Sequence, residues 1–381
     1  MTAAVGAPTA SAPADAAAVR RVRIATFNIQ ELNAAKLAQV DDRGHGTNTQ
    51  LRKAAEIIQR VKPDVLLVNE IDFDVDRRQN AAMFRDRYLR IGQANQEPVD
   101  YPFIVFEPVN TGVPTGQDLD QDGRTNGPGD AYGFGRYPGE YGMALFSRLP
   151  IDEGAARQFQ RFLWKDMPGN LMPDGRDGKP RWYTDPQAAT LRLSSKSHWD
   201  IPLRVGNRTL HVLASHPTPP IFDGAEDRNG RRNYDEIRFW ADYIAGNQRG
   251  DYIVDDAGHR GGLPASEWFV ILGDLNSDPV KMEEHAAYER PSVQQLLTHE
   301  RVRDAKPASA GSAATAGDYP GDKATRTNAF GRIDYVLPCR DLVVRDAGVF
   351  WPAAGDVLYP LVSAPDPASD HYLVWVDVVQ P

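Results

Sequence analysis

What most constrains the fold of this chain is a series of short apolar runs, each of strand length and each flanked by Asn, Glu, Asp or His. VRIATFNI, from residue 22, contains Asn28, and VLLV at 65–68 is followed by Asn69 and Glu70. YGMALFS, LHVLAS, WFVILGD, RIDYVLP and HYLVWVDVV repeat the habit. Apolar runs of this length, bounded by polar residues, read as buried strands. Between the first two, Leu51, Ala54, Ala55, Ile58 and Val61 recur at three- and four-residue steps until Pro63, which predicts a helix. Strands and helices alternate without a break wide enough for a linker. We therefore expect an α/β fold: one domain over residues 21–381, of two stacked sheets with outer helices. Gly/Pro/Asp-rich stretches at 108–140 and 165–187 and an Ala/Gly/Ser/Thr-rich stretch at 305–329 are expected as surface loops.

Composition supports a large self-sufficient core. The chain has 381 residues, 41% of them hydrophobic, and its single cysteine, Cys339, excludes an internal disulfide. No apolar run reaches the roughly eighteen residues of a membrane span, so none is expected. Residues 1–20 are expected as a flexible Ala/Pro-rich tail. They lack the basic and apolar regions of a signal peptide, and read either as a leader left once a signal is removed, making the protein secreted or periplasmic, or as a plain cytosolic tail.

The sharpest chemical signal is Gly273-Asp274-Leu275-Asn276 at the end of WFVILGD. Residues two apart on an extended segment point to one side, so the Asp274 carboxylate and the Asn276 amide converge. A carboxylate that accepts a proton from water, beside an amide that donates to a phosphate oxygen, suits hydrolysis. A strand-ending Asx turn is the plain alternative. Asp334 interrupts the apolar run GRIDYVL, and a buried acid needs a partner. His371, in Ser369-Asp370-His371, is the natural one. Such a pair would hold the imidazole in one tautomer and favour its protonated form; a turn-capping Asp334 and an exposed His371 are the alternative. His216 places a second imidazole at a strand end, where a lone histidine is more often structural. Glu70 and Asn28, at the ends of neighbouring strands, offer hard oxygen ligands for Mg²⁺ or Mn²⁺, unless Glu70 only pairs with an arginine.

Taken in order, FNIQ, NEID, YGMALFSRLPI, ASHP, GDLNSDP, RIDYVL and SDH resemble the endonuclease/exonuclease/phosphatase superfamily, the fold of deoxyribonuclease I, from Arg21 to the C-terminus. The resemblance implies a four-layer α/β sandwich of two packed mixed β-sheets with outer helices, and phosphoester hydrolysis. It implies that Glu70 is the chief metal ligand, helped by Asn28 and Asp370, and that Asp274 orients or activates the attacking water. Asn276 would hold the phosphate and that water. His216 falls where the nuclease branch has a phosphate-contacting histidine, and His371, paired with Asp334, matches the histidine that stabilises the transition state or assists the leaving group. Gln30 stands where some branches carry a further acidic metal ligand.

Two segments add to this set. Asp118, Asp120 and Asp122 alternate before Gly123, like the opening of an EF-hand loop, with Gly129 where the bidentate acid belongs and Asp130 one place on. They read as a Ca²⁺ site or as a solvated acidic loop. FDGAEDRNGRRNYDEI, from residue 222, brings Arg228, Arg231, Arg232 and Asn233 close behind His216 as candidate phosphate-binding groups, or as a solvated helix start salt-bridged by Asp235 and Glu236.

Lys plus Arg number 43 against 52 Asp plus Glu, a formal charge of -9. That balance weighs against loose binding to nucleic acid, which needs a basic surface. We expect a monomeric metal-dependent phosphoesterase acting on small phosphomonoesters or diesters. A nuclease with nucleic acid as substrate is the alternative, and a non-catalytic binding module the least favoured, because the acidic and histidine set is intact.

Overall fold

Two parallel strand pairs, one at the heart of each sheet, organise the molecule. The computed structural model describes residues 21–173, 181–246, 248–282 and 286–379. The expected N-terminal tail, residues 1–20, and part of the expected 165–187 loop lie outside these. The first sheet contains β1 (Arg21–Leu32), β2 (Val65–Ile71), β3 (Phe103–Val105) and β4 (Met143–Ser147). The second is built from β5 (Arg157–Gln158), β6 (His198–Val205), β7 (Arg208–Ser215), β8 (Trp268–Asp274) and β9 (Asp334–Pro338). The chain then returns to the first sheet with β10 (Val343–Val349) and β11 (Val374–Val379). Strand orders are β10-β11-β1-β2-β4-β3 and β5-β6-β7-β8-β9.

β1 and β2 run parallel, as do β7 and β8, and every other neighbouring pair is antiparallel. Parallel neighbours need a crossover, and each pair is joined through a helix. The first crossover is the expected helix Thr49–Val61, which starts where the Asn48 side chain accepts the Leu51 N–H and ends at left-handed Lys62, just before Pro63. It buries Leu51, Ala54, Ala55, Ile58 and Val61. The second, Arg228–Tyr243, buries Ile237, Phe239, Trp240 and Tyr243. Phe159 packs edge-on against Phe239, Trp240 and Tyr243 of that helix.

Across the interior, β1 meets β8 and β9, β2 meets β8, and β11 meets β9. Strands with the opposing sheet on one face and a helix on the other are apolar on both, which is why every residue of β8 is buried. The architecture is thus two mixed sheets with flanking helices, as expected. The topology also carries the chemistry: Asn28 and Glu70 lie in the C-terminal parts of β1 and β2, His216 directly follows β7, and Asp274 ends β8.

Candidate active site

Neighbouring strand ends bring the polar residues together by register. Asn28 pairs with Asn69 between β1 and β2, and Asp274 pairs with Asp334 between β8 and β9. Asp334 therefore opens its strand rather than interrupting it. Gly273, at φ +145, lies so close to β7 that a Cβ there would meet the Ser215 carbonyl at 1.9 Å. Only glycine lets Asp274 sit this tightly against the segment that carries His216.

The Asp274 Oδ2 atom is the hub. Asn28 Nδ2 donates to it at 3.1 Å, His216 Nε2 stands at 3.6 Å and His371 Nε2 at 3.8 Å. Its other oxygen accepts the Asn276 N–H at 2.9 Å. Asn28 Nδ2 also donates to Glu70 Oε1 at 3.0 Å, and Glu31 N–H donates to Glu70 Oε2 at 3.1 Å. Glu70, Glu31 and Asn276 hold left-handed backbone, with φ of 63, 51 and 51. Non-glycine residues in that region are strained, and such strain clusters where side chains must be aimed out of the regular pleat. Ser369 Oγ donates to the Asn28 carbonyl at 2.7 Å and accepts the His371 N–H at 3.1 Å, tying the SDH segment to β1. Asp370, next to it, is exposed.

Burial sets the protonation states. Asp274 is 2% exposed, and desolvation together with the Asp334 charge raises its pKa, against the pull of His371. For His371 burial opposes the charge, yet Asp334, at 2.9 Å from Nδ1, and Asp274 raise its pKa to about 10. It is an imidazolium at neutral pH. His216 is held neutral, its pKa pushed well below the usual range by burial and then by the Lys196 and His371 charges. Asn28 Oδ1 is buried without a hydrogen-bond partner. An orphaned carbonyl oxygen beside a carboxylate fits a hard divalent cation.

The sequence matches the endonuclease/exonuclease/phosphatase family over residues 25–371. The chain belongs to that family. Members hydrolyse phosphoester bonds and include both nucleases and phosphatases; they depend on divalent metal. No curated protein matches the chain at a significant level. Among solved structures, a family protein from Beutenbergia cavernae superposes with a TM-score of 0.53 at 17% identity, covering 95% of this chain and 72% of its own. The human Nocturnin catalytic domain with bound sulfate gives 0.47 at 16% identity, covering 94% and 93%. A mannosyl-6-phosphatase of Bacteroides thetaiotaomicron gives 0.47 at 12%, covering 94% and 99%. At 17% identity the likeness to the Beutenbergia cavernae protein speaks for the fold alone.

Within this family member the other expected groups divide. Asp118, Asp120 and Asp130 bring carboxylate oxygens within 4.8 Å of one another, whereas Asp122 falls outside that group and accepts the Arg124 N–H. The Asp120 carboxylate lies 2.1 Å from where a Cβ at Gly129 would be. The candidate phosphate-binding segment, Arg228, Arg231, Arg232 and Asn233, is engaged in part within the protein. Arg232 donates through Nε and one terminal nitrogen to the carbonyls of Leu193, Tyr132 and Arg192, and Asn233 donates to those of Thr218 and Leu275. Donors spent on backbone carbonyls hold loops together rather than ligand. Arg228 pairs with Glu226 at 2.8 Å, and Arg231 reaches the Leu171 carbonyl at 3.5 Å.

Two groups escaped the sequence reading. Asp72, two residues beyond Glu70, is 7% exposed and accepts the Tyr137 hydroxyl at 2.7 Å; burial raises its pKa to about 6. Lys196 is an interior lysine among the site's carboxylates. Glu70 and Asp72 do share the i, i+2 spacing that exposed Asp274 and Asn276, whereas SSKSH has no pattern distinguishing it from any polar loop.

Proposed function

We propose that the protein is a divalent-metal-dependent phosphoesterase that hydrolyses small phosphomonoesters or diesters by in-line attack of water on phosphorus. The observation that carries this reading is the convergence on Asp274 Oδ2 of Asn28, His216 and His371, with Glu70 held against the same Asn28 amide. Glu70, Asn28 and Asp370 would hold Mg²⁺ or Mn²⁺, which supplies positive charge to a phosphoryl oxygen. Asp274, its pKa raised by burial, is a carboxylate basic enough to take a proton from water. Asn276, whose backbone bond to Asp274 fixes its place, offers an amide to the phosphate. His371, kept charged and in one orientation by Asp334, faces the developing negative charge and can protonate the leaving oxygen. Neutral His216 adds a ring nitrogen on the same side.

Asp118, Asp120 and Asp130 would hold a second cation, Ca²⁺. The support is their spacing together with Asp118 Oδ1, which is buried and unpartnered. Hydrolysis of p-nitrophenyl phosphate, bis(p-nitrophenyl) phosphate and plasmid DNA, each with Mg²⁺, Mn²⁺ or Ca²⁺, tests the substrate class. The proposal expects chelator-sensitive turnover of one of the small esters. Preferential DNA cleavage that falls steeply with salt would make the protein a nuclease instead.

A further inference from the structure

Lys196 is 6% exposed, yet among the described residues no acceptor lies within hydrogen-bonding or ion-pairing distance of its ammonium. The residue is held in place from several directions. Its carbonyl accepts the Asn110 N–H at 2.9 Å. Next to it, Ser195 donates both N–H and hydroxyl to Glu236 Oε1, at 2.6 and 3.0 Å, and the hydroxyl also reaches the His216 carbonyl at 3.4 Å. The second Glu236 oxygen accepts the Thr218 N–H at 2.7 Å, two residues past His216. Arg232 clamps the Arg192 and Leu193 carbonyls just upstream. The Arg228–Tyr243 helix thus fastens the lysine-bearing segment to the strand end that carries His216.

The acidic charges that act on the ammonium are Glu236, Glu70 and Asp274, opposed by Arg232. Glu236 is saturated by Ser195 and Thr218, Glu70 by Asn28 and Glu31, and Asp274 by Asn28 and Asn276. An ammonium carried by a 6%-exposed lysine with no protein acceptor keeps little water around it, which leaves its donors to a ligand. The complement of a point charge with three donors, beside groups suited to phosphoester hydrolysis, is a phosphate oxygen. We propose that Lys196 is a substrate-binding residue whose ammonium takes a non-bridging oxygen of the bound phosphoester. The proposal rests on the phosphoesterase reading and adds to it a group that grips the anion.

The test uses full-length Lys196→Met and Lys196→Arg. Inorganic phosphate binding, measured by titration calorimetry with Mg²⁺ present, should weaken about tenfold or more in Lys196→Met, as expected for loss of a charge-assisted hydrogen bond, and recover in part in Lys196→Arg. With bis(p-nitrophenyl) phosphate the loss should fall more on KM than on kcat. Without phosphate, Lys196→Met should melt no lower than wild type, because the ammonium has no protein acceptor to lose. Wild-type phosphate affinity in a folded Lys196→Met overturns the proposal. If Lys196→Met does not fold, undiminished phosphate affinity in folded Lys196→Gln overturns it equally. Phosphate binding needs no turnover, so a wild type that binds phosphate through Lys196 but cleaves neither ester contradicts the phosphoesterase reading and leaves the lysine assignment standing.

Discussion

His371 shows at the scale of one residue how the fold decides chemistry. Its pKa is raised to about 10 despite burial, through Asp334 and Asp274. A base whose folded pKa lies above its unfolded value contributes stability that is full below the unfolded pKa, near 6.5, and is lost as pH rises toward the folded one. The metal-free protein should therefore lose melting temperature between about pH 6.5 and 10, and His371→Asn should flatten that decline. An unchanged slope in the variant would show that the pair is not ionised as described. Asp274, Asp334 and His371 were legible in the sequence because each is a polar residue set into or beside a buried strand. Lys196 was not. It sits in SSKSH, a segment that the Asn110 loop and the Arg228–Tyr243 helix fasten in place only in the tertiary structure.

Among the elements, the doubly buried strands β2, β4, β7 and β8 were readable because burial on both faces writes an apolar run. β6 was not, since HWDIPLRV carries Asp200 and Pro202. Asp200 is buried by pairing with His211 at 2.7 Å and the Tyr243 hydroxyl at 2.6 Å, and Pro202 lies beyond the two residues where β5 pairs. The Arg228–Tyr243 helix was legible only as polar sequence, and its arginines suggested ligand binding. Arg232 also holds the Leu193 and Arg192 carbonyls, and Glu236 is the central brace. Glu236→Ala strands three donors and removes the counter-charge to Arg232 and Lys196, so it should lower unfolding free energy by about 3 kcal/mol. Urea denaturation reads this directly, and a loss under about 0.5 kcal/mol would mean that the brace is dispensable.

On the scale of the whole molecule, the formal charge of -9 is partly a matter of carboxylates gathered at two places, the strand ends around Asp274 and the Asp118–Asp130 loop. The net charge was informative about partners and silent about fold. Where the acids gather is a tertiary fact. Ca²⁺ at the loop should raise the melting temperature by binding the native state, by about 2 °C or more at saturating ion, and Asp118→Asn should remove that increment. An identical Ca²⁺ response in the variant would refute the loop as a site.

The central claim is that Asp274, at the convergence of both parallel strand pairs, readies water for attack on a phosphoester. The most direct test is the turnover of bis(p-nitrophenyl) phosphate or p-nitrophenyl phosphate by wild type and Asp274→Asn, with Mg²⁺ or Mn²⁺ and after chelation. Wild type should hydrolyse at least one ester only with metal, and Asp274→Asn should lose about a hundredfold or more in kcat while unfolding cooperatively like wild type. An Asp274→Asn variant that turns over at the wild-type rate, or hydrolysis that survives removal of metal, would contradict the account.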